Sequence, residues 1–281
     1  MKLVNIGPRG QERPGLVDAS GDARLLPAGE AHAGPGVSFD AIEKLAAVKV
    51  DDLEPAEEGA RIGSCLGWVR NFHCIGLNYA RHAAETGAKN PEEPILFNKA
   101  TTALSGPFDD VVLPPESKKT DWEVEIAAVI GRDTYRVSEA KALEHVVGYC
   151  VVNDVSEREY QIERGGQWTK GKSLPTYGPT GPWLVTSDEV PDPQALDIWL
   201  DLNGEKAQAS STSDMIFSIA EIVAYMSRFM KLEAGDIITT GTPEGVGMGR
   251  DPKRFLKPGD ELRLGVEGLG EQRQRVVALE S

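Results

Sequence analysis

Apolar and polar residues alternate in short segments along most of the chain, and this pattern predicts strands. Residues 123–128 alternate glutamate with apolar side chains, which is the period of two that a strand gives. Residues 146–152 are a mostly apolar run, and two more apolar segments, 236–240 and 262–266, follow glycine-containing turns. Residues 198–202 alternate in the same way and lead into Asn203-Gly204, a dipeptide typical of hairpin turns.

Helical patterns are fewer and shorter than the strand patterns. Ser218 and Glu221 form a capping box, and apolar residues at helical spacing continue from there to Met230. Ser38 is a second helix N-cap candidate, with Ile42 and Leu45 on one side of the helix that follows. Many short strands, glycine turns and few helices predict a β-rich α+β fold.

The chain of 281 residues is long enough for one large domain and one small one. Residues 1–65 contain two short strand candidates, 3–6 and 15–17, and predict a small N-terminal α+β domain. Acidic residues and Pro55 mark a linker over residues 51–59. Residues 70–281 then form the predicted large domain.

Composition narrows the possible partners. The formal net charge of −14 argues against nucleic acid, because phosphate binding requires a concentrated basic surface. The first residues have no apolar signal core and no stretch approaches 18 apolar residues, so we expect a cytoplasmic protein without a membrane segment. Three scattered cysteines are too few for a disulfide framework or a zinc site, and we expect them to be reduced.

Acidic residues near two predicted strands are candidate metal ligands. Glu123 and Glu125 lie two apart on a strand and therefore share a face, where their charges repel unless a cation is present. Oxygen ligands of this kind suit Mg²⁺ or Mn²⁺, although the pair alone is explained better by a solvated polar strand face. Asp154 ends an apolar run and could be a third ligand, or it could cap a helix through Glu157 and Tyr160.

A histidine and a glutamate form a candidate catalytic pair. His82 and Glu85 are three residues apart, and on a short helix they share a face. A carboxylate beside an imidazole fixes its tautomer and raises its basicity, which suits a general base; the alternative is a surface ion pair. The other histidines have no comparable neighbour and are interpreted as structural or surface residues: His32, His73 and His145.

Two further segments offer groups that could bind an anion. Lys170 and Lys172 flank a glycine, and an ammonium in a cleft can stabilise an oxyanion; on an extended backbone both would point to the same side. Residues 239–247, TTGTPEGVG, offer hydroxyls and backbone amides, and they lack the nucleotide phosphate-loop pattern. A solvated basic loop and an ordinary tight turn are the alternatives. No GxSxG elbow and no GxGxxG segment after a strand is present, which weighs against a serine hydrolase and a dinucleotide enzyme.

In this order the segments resemble the fumarylacetoacetate hydrolase superfamily. The matching pieces lie between residue 70 and the end: CIGLNYARHAAE, PILFNKATTALSGP, DWEVEIAAVIG, GYCVVNDVSEREYQ, WTKGKS, MIFSIAEIVAYMS and TGTPEGVG. The resemblance implies a mixed β-roll or β-sandwich-like catalytic domain, a homodimer as the usual assembly, and a small 2-oxo or diketo acid as substrate.

The resemblance also implies roles for individual residues. Mg²⁺ or Mn²⁺ would be held by three carboxylates: Glu123, Glu125 and Asp154. Water activation would fall to a pair on a segment that often closes as a lid, His82 and Glu85, with Lys172 near the metal. Substrate contacts would come from four positions: Tyr79, Lys99, Gln161 and Thr242.

Some segments look more specifically like the hydrolases of 2,4-diketo-3-deoxy-L-rhamnonate and -L-fuconate. These are residues 177–194, the loop 248–260 and the ending GLGEQRQRV. The expected reaction is hydrolysis of a carbon–carbon bond that yields pyruvate and lactate. Acylpyruvate hydrolase, oxaloacetate decarboxylase, dienedioate isomerase and ureidoglycolate lyase-like activities share such a site and stay open, as does a non-catalytic metal- or ligand-binding protein.

Overall fold

The structure is a computed structural model, and it describes residues 1–27 and 37–280. His32 lies outside these ranges. Strands dominate, as the alternating pattern predicts, and the β-rich α+β class is confirmed.

Nineteen strands and five α-helices make up the described part of the chain. The strands are β1 Lys2–Ile6, β2 Arg13–Val17, β3 Ala23–Leu25, β4 Glu54–Pro55, β5 Phe72–Gly76, β6 Ile95–Lys99, β7 Leu104–Ser105, β8 Val111–Leu113, β9 Thr120–Asp121, β10 Val124–Ile130, β11 Val146–Asn153, β12 Ser156–Glu157, β13 Gly178–Pro179, β14 Leu184–Thr186, β15 Asp197–Leu202, β16 Glu205–Ser211, β17 Ile237–Thr239, β18 Glu261–Val266 and β19 Gly270–Ala278. The helices are α1 Phe39–Ala46, α2 Ala80–Glu85, α3 Glu139–Ala142, α4 Thr169–Lys172 and α5 Ile219–Met226.

The largest sheet has ten strands in the order β4-β3-β2-β1-β14-β11-β10-β17-β5-β6. Only β17 and β5 pair in parallel; the other neighbours are antiparallel. Both faces of the central strands β10 and β11 are buried, and side chains alternate between two core clusters. Since β1 pairs with β14, the N-terminal strands continue this sheet. The division near residues 65–70 stays a prediction.

The second sheet has five strands in the order β16-β15-β18-β19-β8. Its apolar face and helix α5 pack against one face of the large sheet and form the main core. The hairpin between β15 and β16 turns at Asn203 and Gly204, both with positive φ, as the sequence predicts. Two two-stranded pairs, β9 with β12 and β7 with β13, complete the strand pairing of the described residues.

Local sequence signals place two helices well, and one of them ends early. Ser38 accepts a hydrogen bond from Ala41 N at the start of α1, and the capping box of Ser218 and Glu221 begins α5. However, α5 ends at Met226, so the predicted continuation to Met230 is wrong. The residue types allow another turn, but the helix has its C-cap at Ser227, whose carbonyl oxygen accepts from Arg136 N and whose hydroxyl accepts from Val137 N. Phe229 lies beyond this end and is 64% exposed.

Two local arrangements that the sequence left open are not the ones found in the structure. The residues after Asp154 form strand β12 and then a π-helical turn, Glu159–Glu163, so Asp154 does not cap a helix there. Lys170 and Lys172 lie on the helical turn α4 and not on an extended backbone. The two side chains therefore do not share a side as they would on a strand: Lys172 is buried, and Lys170 is exposed.

Within the described ranges, no helix has both the length and the apolar character needed to cross a bilayer.

Candidate active site

Three buried carboxylates meet at one end of the β10–β11 pair. The antiparallel register places Val124 opposite Asn153, so Glu123 and Asp154 lie side by side at the strand ends. Glu125 sits two residues further along the same strand and points to the same face as Glu123. Ligand oxygens of the three residues lie within 4.8 Å of one another, and all three side chains are buried. The predicted cluster is therefore formed by the fold.

Cationic side chains surround this carboxylate cluster. Lys172 Nζ lies 2.7 Å from Glu123 Oε2 and 2.7 Å from Asp154 Oδ2. Lys99 Nζ contacts Asp154 Oδ1 and lies 3.1 Å from the carbonyl oxygen of Val155. Arg158 Nη1 lies 2.6 Å from Glu123 Oε1. The cluster thus combines anions and cations that would each be costly to bury alone.

The pKa directions show which carboxylate lacks a counter-charge. Burial alone would raise the pKa of Glu123, but the charges of Arg158 and Lys172 outweigh it and hold that pKa well below its usual range. Burial, together with the charges of Asp154 and Glu123, raises the pKa of Glu125 well above its usual range. Glu125 is therefore the member whose ionised form most needs another cation.

The donor set fits a divalent metal ion. It offers only carboxylate oxygens, which suit Mg²⁺ and Mn²⁺, and it leaves one carboxylate, Glu125, without a cationic partner among the described residues. Gly241 N donates to Glu125 Oε2 at 2.8 Å and fixes the orientation of that side chain.

His82 and Glu85 lie on the short helix α2 and contact each other as predicted. His82 Nδ1 lies 2.8 Å from Glu85 Oε1. A carboxylate that accepts from Nδ1–H leaves Nε2 as the basic nitrogen. The helix is anchored at its start by the buried Asn78, whose amide donates to the carbonyl oxygens of Phe217 and Thr240. The predicted pair is therefore present and held in a defined orientation.

One member of the histidine–glutamate pair and two of the three carboxylates line a cavity of about 220 Å³. His82, Glu123, Glu125 and Lys172 line it, so the groups predicted for water activation, metal binding and charge stabilisation share one space. The rest of the wall is largely apolar: Ile75, Leu77, Ala88, Phe97, Ile162, Trp168 and Met248.

The four predicted substrate contacts divide into two groups. Gln161 and Thr242 line the cavity, whereas Tyr79 and Lys99 do not. Tyr79 is 1% exposed, and its hydroxyl has no hydrogen-bond partner among the described residues. Lys99 instead contacts Asp154 from within the protein. Their role in substrate binding stays a prediction.

The sequence reasoning missed two residues that organise the site. Arg158 bridges Glu123 and Asp121, with Nε 2.9 Å from Asp121 Oδ2. Asp121 is fully buried and also accepts from the backbone N of Gly247 and Met248, at 2.6 and 3.0 Å. Asp121 begins the segment DWEVEIAAVIG, and Arg158 lies within GYCVVNDVSEREYQ. The only signal in the sequence for Arg158 is its position four residues after Asp154.

The segment GQWTKGKS, residues 166–173, matches the sequence pattern of a nucleotide phosphate-binding loop. Such a loop follows a strand and turns its lysine toward phosphate. Here the helical turn α4 follows a π-helical turn, and Lys172 contacts two carboxylates. Gly171 permits this arrangement, because a Cβ there would lie 2.4 Å from the backbone N of Gln161. Residues 166–173 therefore match the phosphate-loop pattern in sequence but do not form a phosphate-binding loop.

The fold and the site define a β-rich protein with a carboxylate cluster and a histidine–glutamate pair at one cavity. The chain belongs to the fumarylacetoacetate hydrolase family: the family model described as "Fumarylacetoacetate (FAA) hydrolase C-terminal" matches residues 71–277.

Three known proteins illustrate this relationship. A protein of Burkholderia cenocepacia (strain HI2424), whose name assigns it only provisionally to the hydrolases, is 54% identical over 280 residues, 98% of each chain. A probable 2-hydroxyhepta-2,4-diene-1,7-dioate isomerase from Mycobacterium abscessus is similar at 34% identity with a TM-score of 0.83, covering 100% of both chains. Fumarylpyruvate hydrolase from Pseudomonas aeruginosa, solved with Mn²⁺ and pyruvate, shares 33% identity with a TM-score of 0.69, over 80% of this chain and 94% of that one.

Proposed function

We propose that this protein is a divalent-metal-dependent hydrolase that cleaves a carbon–carbon bond of a short 2,4-diketo acid and releases pyruvate. The observation that carries the proposal is the shared cavity, which is lined by His82, Glu123, Glu125 and Lys172. A base, a cation site and a fixed positive charge are what hydrolysis of a 1,3-dicarbonyl compound requires. The Mn²⁺ and pyruvate complex of fumarylpyruvate hydrolase supports the same chemistry here.

The proposed reaction uses three side chains in turn: His82, Glu85 and Lys172. His82 Nε2 takes a proton from water, while Glu85 stabilises the imidazolium through Nδ1. The water oxygen attacks the C4 carbonyl, and the C3–C4 bond then breaks with its electron pair on C3. Lys172 stabilises the resulting enolate charge, and a proton from His82 completes pyruvate. Diketo acid and one water thus give pyruvate and one carboxylic acid.

A divalent ion held by Glu123, Glu125 and Asp154 would supply Lewis-acid polarisation of the 2-oxo group. Arg158 holds Glu123 in place for this task, and Gly241 N holds Glu125.

The particular substrate that we propose is 2,4-diketo-3-deoxy-L-rhamnonate or its L-fuconate counterpart. The support is the sequence likeness of residues 177–194 and 248–260 to those hydrolases. A small cavity with a polar end and an apolar wall suits a short acid that ends in a methyl group.

Product analysis tests the proposed reaction. The purified protein is incubated with Mg²⁺ and a panel of 2,4-diketo acids, and products are identified by proton NMR with lactate dehydrogenase-coupled detection of pyruvate. We expect pyruvate and the second acid in equal amounts. Substrate isomerised without cleavage would favour the isomerase activity named for the Mycobacterium abscessus neighbour. Loss of carbon dioxide from oxaloacetate alone would favour a decarboxylase.

Metal binding should be visible as thermal stabilisation. Mg²⁺ or Mn²⁺ at a hundredfold excess over Kd should stabilise metal-stripped protein by about 2.7 kcal/mol and raise Tm by several degrees. Glu125→Gln should lose most of this shift, because it removes a ligand charge. Its metal-free Tm should hold or rise, because glutamine cannot carry the buried negative charge that burial, Asp154 and Glu123 all disfavour.

The matched control for the metal experiment is Glu116→Gln, which makes the same change at an exposed position outside the cluster. It should keep the full metal-induced shift in Tm. An equal shift in Glu125→Gln and Glu116→Gln would mean that the ion binds elsewhere.

The preference of the enzyme for short over long acyl groups should depend on Trp168. Its ring packs edge-on against Phe97 at 5.2 Å between centroids and forms part of the cavity wall. Trp168→Ala should raise kcat/KM for a longer acyl group relative to a short one by about tenfold, since one methylene in a pocket is worth roughly 10–200-fold. Trp68→Ala, at an exposed tryptophan outside the cavity, is the control. An unchanged ratio in Trp168→Ala would exclude Trp168 from substrate selection.

A further inference from the structure

The carboxylate of Glu85 is held from two sides. Oε1 faces His82 Nδ1 at 2.8 Å, and Oε2 accepts a hydrogen bond from the backbone N of Gly245 at 2.8 Å. The second contact comes from the segment 244–249, which we call the clasp. The orientation of the base thus depends on a loop more than 150 positions further along the chain.

The clasp is itself fixed to the carboxylate end of β10. Asp121 accepts from the backbone N of Gly247 and Met248, and the indole N of Trp122 donates to the carbonyl oxygen of Gly245 at 3.2 Å. Because Glu123 follows directly in the chain, the clasp connects the histidine–glutamate pair to the carboxylate cluster. Its position relative to both is therefore defined by the fold.

Gly249 faces the Glu85 side chain at the end of this clasp. A Cβ built at Gly249 would lie 2.6 Å from Glu85 Cδ and 2.8 Å from both Cγ and Oε2. Contacts below 3.0 Å are essentially never found for real Cβ atoms. The φ angle of Gly249 lies outside the left-handed region, so the backbone itself accepts alanine. The space that Gly249 leaves open is filled by the carboxylate of Glu85.

We propose that Gly249 is a positioning residue for the His82–Glu85 pair. Without a side chain at this position, the Glu85 carboxylate reaches His82 and the Gly245 amide at the same time. This inference rests on the proposed role of the pair as the water-activating base. In Gly249→Ala the new methyl group meets only the flexible end of the Glu85 side chain. We therefore expect Glu85 to move while the fold is retained.

The test is a double-mutant cycle with kinetics and thermal unfolding. Gly249→Ala should lower kcat for pyruvate release by about tenfold or more with little change in KM, because the pair acts in the transition state. Glu85→Ala should lower kcat at least as much. The double variant Gly249→Ala with Glu85→Ala should match Glu85→Ala within about twofold, since interacting sites are non-additive. Metal-induced stabilisation should persist in all three variants.

Gly63→Ala is the matched control. Its φ angle also lies outside the left-handed region, and its Cβ would meet a glutamate side chain, Glu12 Cγ at 2.8 Å, away from the cavity. It should keep normal kcat. If Gly249→Ala has normal kcat while Glu85→Ala is impaired, the inference about Gly249 is overturned and the proposed role of the pair stands. The same holds if Gly249→Ala lowers kcat by an equal factor in the wild type and in the Glu85→Ala variant. Full activity in Glu85→Ala would instead overturn the proposed role of the pair, and the inference with it.

Discussion

Lys172→Met is expected to lower kcat for a 2,4-diketo acid by about 10²–10³-fold, the usual cost of losing one oxyanion-stabilising donor. The Lys172 ammonium lines the cavity and contacts Glu123 and Asp154, so it sits where enolate charge would develop. KM should change less, because the interaction is strongest in the transition state. Methionine keeps the apolar stem and removes the Nζ atom, which lies 5.0 Å from the ring centroid of Phe97. Coupled detection of pyruvate gives both constants.

The same substitution should also change stability in a metal-dependent way. Removal of one partner from a buried ion pair typically costs about 3–5 kcal/mol, because the remaining charge is uncompensated. Metal-free Lys172→Met should therefore unfold at a lower temperature than wild type, and Mg²⁺ or Mn²⁺ should restore part of the difference by neutralising Glu123 and Asp154.

Lys170→Met is the control for Lys172. Lys170 lies on the same helical turn but is exposed. It should change kcat little, and any effect should weaken with salt, since exposed charges are screened. Equal and modest losses in both variants would indicate a diffuse basic surface that attracts the substrate, which would contradict a specific role for Lys172.

His82→Ala is expected to lower kcat by about 10²–10⁴-fold, the usual contribution of a general base. The metal-induced rise in Tm should be kept, because His82 lines the cavity but does not belong to the carboxylate cluster. Parallel kinetic and thermal-unfolding measurements separate the two effects.

His145→Ala provides the same substitution at a histidine that contacts Thr134 and lies outside the cavity. It should retain normal turnover. Loss of metal binding in His82→Ala, with normal turnover once excess Mg²⁺ is present, would show that His82 is a ligand and not the base.

Local patterns in the sequence predicted much of the fold and the core of the site. Alternation in residues 123–128 placed Glu123 and Glu125 on one face, because a strand's side-chain period is fixed by its backbone. The spacing of His82 and Glu85 predicted their contact for the same local reason on a helix. The capping box and the Asn203-Gly204 turn are likewise short-range features, and both are present.

The features of the site that the sequence did not predict depend on contacts between distant parts of the chain. Lys172 separates from Lys170 only because α4 forms a helical turn packed on the π-helical turn, which the residue types do not specify. Asp121 and Arg158 acquire their roles from partners that tertiary folding brings together. The contact of Glu85 with Gly245 joins residues 160 positions apart, which no spacing rule predicts.

Pyruvate release by metal-stripped protein, titrated with Mg²⁺ or Mn²⁺ on a 2,4-diketo acid, tests the central claim most directly. Wild type should be inactive in EDTA, and its activity should rise in proportion to the fraction of protein that has metal bound. Glu125→Gln should stay near the baseline at metal concentrations that saturate wild type. Undiminished pyruvate release by the stripped wild type, or consumption of the diketo acid without pyruvate, would contradict a metal-dependent carbon–carbon hydrolase.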